Sequence, residues 1–277
     1  MQIIEILKAI ILGIIEGITE WLPISSTGHM ILVDEFIKLD VSGEFMELFL
    51  VVIQLGAILA VPILFFHKIN PFSKRKSKAE KRSTWNLWGK VIVGVIPAAL
   101  VGVFLDDIIE EKFYNYVVVS IALLVYGVIF ILIEKLNKGR APRVENVEDL
   151  TYKDALEIGA FQVLSLIPGT SRSGSTIMGG LICGVSRTAS AEFSFFMAMP
   201  IMLGASALKI LKFILGGFEA TGNEILLLAV GLVVSFLVSL VAIKFLMEFV
   251  KRHDFAPFGI YRIVLGVAVL IYFLTTK

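Results

Sequence analysis

Six stretches of this 277-residue chain are long and apolar enough to cross a lipid bilayer, and that feature removes most of the folds otherwise open to it. A spanning helix needs about 20 mostly apolar residues. Runs of that kind, bounded by charged or turn residues, fall at roughly 45–66, 91–106, 115–133, 189–213, 224–248 and 256–275, the second being the shortest. With 57% hydrophobic and only 18% charged residues and a mean hydropathy of +0.88, a soluble fold would have nowhere to hide its apolar surplus, because much of a domain's surface always faces water. A net charge of +1 gives no argument for a nucleic-acid partner. The single cysteine, Cys183, excludes an internal disulfide and any multi-cysteine metal site.

Two further apolar stretches fit a simple span badly. Residues 3–22 read as a helix but carry Glu16 and Glu20, stop at Pro23, and run through Ser25-Ser26-Thr27-Gly28-His29 before turning apolar again at Met30. Residues 155–185 repeat this plan: an apolar helix ends at Pro168, the polar run Gly169 to Thr176 follows, and Ile177 to Val185 resumes. Half-helix, polar break and half-helix describe a re-entrant hairpin, tolerated in a membrane only where protein or a water-filled cavity surrounds the broken backbone; a full span kinked at proline is the alternative. The first stretch lacks the basic flank and small-residue cleavage site of a signal peptide.

Eight Lys and Arg against Glu80 between His67 and Lys90 place that segment in the cytoplasm. Alternation then puts residues 106–114, with Asp106, Asp107, Glu110 and Glu111, outside; it puts 134–153 inside and both termini outside. The Lys74 to Arg82 run reads as a solvated loop, and Lys244 and Arg262 as residues snorkelling from cytoplasmic span ends. Glu44-Phe45 precedes Leu55-Gly56-Ala57 at the same spacing at which Glu192-Phe193 precedes Leu203-Gly204-Ala205. One hairpin plus three spans is an odd number of crossings, so the second copy must lie upside down. The expected fold is therefore an all-α polytopic membrane protein, a single integral domain over 1–277. It is built as an inverted-topology repeat: repeat one over 1–135 (hairpin about 3–40) and repeat two over 150–277 (hairpin about 155–185). Such a plan brings the two polar tips together within the membrane.

Glu16 and Glu20, four apart, share one face of an otherwise apolar helix. Acids at such depth pair, bind a metal or line a wet cavity, and their oxygens suit Mg²⁺ or Ca²⁺ better than zinc. The run Pro23 to His29 and the run Gly169 to Thr176 each open a half-helix, where free N–H groups favour anions; simple helix capping explains the hydroxyls equally well. Arg172 adds a planar fork suited to phosphate oxygens. Two facing anion cradles suggest a diphosphate. His29, alone among three histidines in lying beside the carboxylates, could act as acid, base or nucleophile. Ser26 and metal-bound water are the other candidates for attack. Gln162 could reach the site from the second hairpin.

The blocks Glu16-Gly17-Ile18-Thr19-Glu20-Trp21-Leu22-Pro23-Ile24-Ser25-Ser26-Thr27-Gly28-His29 and Pro168-Gly169-Thr170-Ser171-Arg172-Ser173-Gly174-Ser175-Thr176 closely resemble the undecaprenyl pyrophosphate phosphatase family, associated with bacitracin resistance. The resemblance covers essentially the whole chain. It implies hydrolysis of undecaprenyl diphosphate to undecaprenyl phosphate, which recycles the lipid carrier of cell-wall synthesis. It also implies a divalent metal and a site in the bacterial cytoplasmic membrane open to the external side. The family's essential residues fall on Glu16, Glu20, Ser26, His29 and Arg172, with Glu16 and Glu20 as the metal ligands. Ser25, Thr27, Gly28, Ser171, Ser173, Gly174 and Thr176 lie around the phosphates. The expected partners are the isoprenoid lipid and the membrane, with a homodimer open. The rival reading is a polyprenyl-phosphate flippase or anion transporter, because inverted repeats with broken helices are also the transporter plan; the carboxylate pair with His29 and Arg172 favours hydrolysis.

Overall fold

A computed structural model describes residues 2–217 and 220–276, without the side chains of Gln2, Asp106, Asp107 and Glu110. Among the described residues every long element is an α-helix, and the one β-type contact is a single parallel bridge between Val144 and Val185. In chain order the helices are α1 (Gln2–Thr19), α2 (Ser26–Asp34), α3 (Gly43–Leu64), the single turn α4 (Phe66–Ile69), α5 (Lys78–Phe113), α6 (Tyr116–Asn137), α7 (Tyr152–Val163), α8 (Arg172–Ile182), α9 (Arg187–Leu215), α10 (Gly222–Arg252) and α11 (Ala256–Thr276). Six of them, α3, α5, α6, α9, α10 and α11, are long and apolar enough to cross a membrane.

Their starts are written locally. Ser42, Asn115 and Ser186 each accept the backbone N–H three residues on. Ser77 with Glu80, Thr151 with Asp154 and Thr221 with Glu224 form reciprocal capping boxes. The Ser77 box explains the largest departure from expectation. It starts α5 inside the basic segment, and the helix then runs through the acidic 106–111 stretch, so a helix expected at 91–106 spans 36 residues. The acids Asp106, Asp107 and Glu110, expected to mark an external loop, have side chains outside the described residues.

The Lys74 to Arg82 run is mostly exposed, its second half in α5 rather than in a loop, and charges flanking it are paired. Lys68 Nζ pairs with Glu192 at 2.5 Å and Glu148 at 3.2 Å, and Lys90 Nζ donates to the Glu148 carbonyl at 2.7 Å. Glu134, at the end of α6, takes a forked contact from Arg187 at the start of α9 and the backbone N–H of Phe255 just before α11. The ends of α3, α6 and α10 and the starts of α5, α9 and α11 therefore gather at one end of the bundle.

Packing is pairwise: α3 and α1 lie along α10, α6 along α11, and α5 along α7. The core is aromatic and aliphatic, with Trp21, Phe130, Phe193, Phe195, Phe196 and Phe255 fully buried. Large apolar side chains such as Val103, Phe104, Val241 and Leu274 stand fully outward, a pattern that only a hydrocarbon solvent satisfies.

The two awkward stretches are broken helices. Helix α1 ends at Thr19 and α2 begins at Ser26; α7 ends at Val163, a short 3₁₀ turn covers Leu164–Leu166, and α8 begins at Arg172. Both breaks close with one turn. Ser25 and Ser171 share the same left-handed φ of 73°, which an L side chain adopts only under strain. Their hydroxyls accept from Gly28 N at 3.2 Å and Gly174 N at 3.1 Å. Superposing these serines pairs Glu16 with Gln162, each nine residues earlier, and both side chains are buried with polar atoms lacking a hydrogen-bond partner.

Candidate active site

The two breaks meet through side chains. Arg172, in the first turn of α8, reaches Glu20 Oε1 with Nε at 3.3 Å and Nη2 at 3.1 Å. Its Nη1 donates to the Ser194 carbonyl at 2.8 Å and to Ser194 Oγ at 3.2 Å. The fork thus spans the gap between the first break and α9. Beneath it lies the buried Trp21 ring, 5.8 Å from the guanidinium carbon. Four contacts occupy four of the five N–H groups of an arginine, so one remains for a ligand.

Glu20 is 7% exposed and its second oxygen accepts from Ser26 Oγ at 3.3 Å. Ser26 is half-buried at the N-terminus of α2, facing the gap. Glu16 lies one turn earlier and buried, and its Oε1 has no hydrogen-bond partner. A buried carboxylate oxygen without a donor is the kind of orphan that a cation satisfies. Among the described residues no three His, Cys, Asp or Glu side chains gather into a metal-binding group. A cation held by Glu16 and Glu20 therefore needs the remaining oxygens of a hard-ion shell from hydroxyls, water or a phosphorylated substrate.

Several expected phosphate ligands are engaged within the protein. Ser25 and Ser171 cap their own helices. Ser173, which also meets Ser171 Oγ at 3.2 Å, donates to Leu22 O at 3.3 Å and ties the second break to the first. Thr176 is fully buried and donates to Ser194 Oγ at 2.7 Å. Gly28 and Gly174 supply the capped N–H groups. Thr27 is half-buried in the first turn of α2. What remains open to an anion is the backbone: Ser26, Thr27, Arg172 and Ser173 hold the first two N–H positions of two helices, which have no intrahelical acceptor.

The hydrogen bonds of the His29 ring go to neither Ser26 nor Glu20. Its Nδ1 lies 2.8 Å from the Ser25 carbonyl, and its Nε2 2.7 Å from the Tyr261 hydroxyl.

Arg262 corrects a sequence expectation. Rather than snorkelling, it is fully buried and donates to Pro23 O at 3.3 Å, Gly169 O at 2.9 Å and Thr170 O at 2.8 Å. The reason is its place in α11, which packs along α6 and touches α2, so the side chain turns inward between the two breaks. A Cβ on Gly174 would stand 3.0 Å from Arg262 Nη1, so glycine there leaves room for the guanidinium. Arg172 thus holds the Glu20 carboxylate, while Arg262 ties Pro23 of the first break to Gly169 and Thr170 of the second.

Three contributors escaped sequence reasoning. Ser194 sits in the run Phe193 to Phe196, where a lone hydroxyl carries no signal. Tyr261 resembles an ordinary interfacial aromatic. Arg262 did carry a signal, a full charge well inside an apolar run, but sequence does not say which way a helix faces.

Comparison with known proteins gives a concordant picture. The family described as bacitracin resistance protein BacA matches residues 9–268. The chain is similar to an undecaprenyl-diphosphatase of Enterococcus faecalis, 60% identical over 267 residues that cover 96% of this chain and 97% of the relative. An undecaprenyl-diphosphatase of Desulfitobacterium hafniense is 57% identical over 274 residues, 99% and 98% of the two chains. Undecaprenyl-diphosphatase 1 of Clostridioides difficile is 59% identical over 272 residues, 98% and 97%.

Proposed function

From the membership of this chain in the bacitracin resistance protein BacA family, we propose how its geometry performs the family's chemistry, the hydrolysis of undecaprenyl diphosphate to undecaprenyl phosphate and inorganic phosphate. The protein is a multi-pass membrane phosphatase that returns the lipid carrier to cell-wall synthesis. The observation that carries the mechanism is the Ser26–Glu20–Arg172–Ser194 chain of contacts, which joins the two broken helices around the open N-termini of α2 and α8.

The diphosphate binds across those termini. Uncapped N–H groups and two helix dipoles receive its oxygens, and the free Arg172 N–H adds a directed charge. Phosphoryl transfer asks mainly for positioning and for stabilisation of charge on the transferring oxygens, and the Arg172 guanidinium is already held in place by Glu20 and Ser194 before substrate arrives. Of the candidate nucleophiles, Ser26 alone has its hydroxyl on a carboxylate, so Glu20 accepts its proton as Ser26 Oγ attacks the terminal phosphorus. The bond to the bridging oxygen breaks, undecaprenyl phosphate leaves, and water then releases phosphate from the serine. Glu16 and Glu20 would hold Mg²⁺ or Ca²⁺ together with substrate oxygens; the bound ion supplies charge neutralisation and polarises the phosphoryl group. In the second half water attacks the phosphoserine phosphorus and gives a proton to His29, the bond from Ser26 Oγ to phosphorus breaks, and Glu20 returns its proton to Ser26 Oγ.

The fold reading belongs to the same proposal. Two re-entrant hairpins and two inverted repeats are supported by the matching Ser25 and Ser171 turns and by cross-packing. The first arm of one hairpin (α1) lies on the second span of the other half (α10), while α7 lies on α5. The bundle end gathered by Lys68, Lys90 and Arg187 faces the cytoplasm by its charge, which leaves both termini and the site mouth on the external side.

The test is phosphate release from undecaprenyl diphosphate by the detergent-purified protein, with Mg²⁺, Ca²⁺ or chelator, beside Glu20→Ala and Ser26→Ala. Metal-dependent release that both variants lose is expected, with radiolabel from the terminal phosphate retained on the wild-type protein and absent from Ser26→Ala. Release by Ser26→Ala at the wild-type rate would remove the serine from the mechanism.

A further inference from the structure

The least explained contact of the site is the one His29 makes with α11. A carbonyl oxygen only accepts, so the 2.8 Å contact between His29 Nδ1 and Ser25 O places the ring proton on Nδ1. In the neutral ring Nε2 then carries the lone pair, and the Tyr261 hydroxyl, 2.7 Å away, donates to it. The two ring planes are nearly parallel, 8° apart with centroids at 5.6 Å, and the phenol meets the imidazole at its Nε2 edge. The next residue in α11 is Arg262, whose three contacts to Pro23, Gly169 and Thr170 anchor the helix to both breaks. The hydroxyl is therefore held at a set place relative to the His29 turn.

We propose that Tyr261 is a positioning residue of the phosphatase reaction, holding His29 in the Nδ1–H tautomer with Nε2 as its one basic atom. A phenol suits the task because it both donates and accepts. It donates to Nε2 while the ring is neutral. After Nε2 gains a proton, rotation of the hydroxyl about its C–O bond lets the same oxygen accept from Nε2–H. One side chain thus steadies the imidazole in both protonation states, which phenylalanine cannot do.

The inference rests on His29 serving the reaction proposed above, so its test separates the two. Three histidines make selective ring ¹⁵N labelling practical, with His29 assigned by its loss in His29→Gln. In the full-length, detergent-purified protein, His29 is expected to show one neutral tautomer. In Tyr261→Phe, which keeps the ring packing, the Nε2 resonance is expected to move and kcat to fall about tenfold with little change in KM, as the loss of one well-formed hydrogen bond implies. Wild-type kcat in Tyr261→Phe, or a fall in kcat with the His29 resonances unmoved, would overturn the proposal. Should the phenylalanine variant melt early, 3-fluorotyrosine at position 261 keeps shape and strengthens the donor; an unmoved Nε2 resonance there also overturns it. No turnover by the wild-type protein would refute the reaction and leave the tautomer measurement standing by itself.

Discussion

Arg172→Lys keeps the charge at the meeting point of the two breaks and removes its shape. The guanidinium touches Glu20 through Nε and Nη2 and Ser194 through Nη1 at once. A single ammonium can serve one side only. If it stays with Ser194 O, Glu20 is left buried with Ser26 as its hydroxyl donor; if it moves to Glu20, the Ser194 carbonyl loses its donor. Either way about 1.5–3 kcal/mol of charge-assisted hydrogen bonding is lost. The fifth N–H, free for the phosphoryl oxygens, disappears as well, about 1.5 kcal/mol more in the transition state. Together this is roughly 3–4.5 kcal/mol, or a drop of about 10²–10³ in kcat/KM at 1.36 kcal/mol per decade. The assay is phosphate release from undecaprenyl diphosphate in micelles, with the melting temperature recorded in parallel. Activity within fivefold of wild type, with unchanged melting, would show that point charge suffices and that the fork geometry is incidental.

Ser194→Ala keeps the carbonyl acceptor and loses only the hydroxyl shared with Thr176 and Arg172; kcat/KM is expected to fall about tenfold, clearly less than in Arg172→Lys, and an equal loss would contradict the ranking. At the left-handed Ser25 and Ser171, glycine relieves the backbone while forfeiting the cap, whereas alanine forfeits the cap and keeps the strain. Glycine variants should therefore melt higher than alanine variants by about 1–2 kcal/mol of stability, and the reverse order in calorimetry would refute the capping account. Gly159→Ala sets a Cβ 2.1 Å from the Gly94 carbonyl across the α5–α7 contact; separation of the helices is expected to cost about 3 kcal/mol, seen as early thermal unfolding. Burial by itself would raise the Asp154 carboxyl, but the Thr151 backbone N–H and hydroxyl and the Arg143 guanidinium hold it below the usual carboxylate range. A depressed folded pKa means stability present at neutral pH and lost as pH falls through that value, here below about pH 4. Arg143→Ala should shrink that acid-side loss in melting curves taken from pH 7 to 3, and curves with the wild-type slope would count against the pair.

Membrane residence, helix content, the two proline-marked breaks and most of the polar side chains gathered at them were legible in the linear order of this chain. They depend on local quantities: runs of apolar side chains, caps three residues apart, and acids or an arginine where hydrocarbon forbids them without a partner. The Ser77 capping box is equally local, but it starts α5 in a polar stretch, well before the apolar run that marks the span. What tertiary structure decided is which polar groups face one another. Whether Ser25 and Ser171 serve phosphate or their own helices depends on a backbone angle. Whether Arg262 reaches water or two broken helices depends on the rotation of α11 against α6, and a shift of one residue there turns a side chain by about 100°. Ser194 and Tyr261 joined the site for the same reason: their neighbours, 22 and 232 residues away in sequence, are supplied by packing alone.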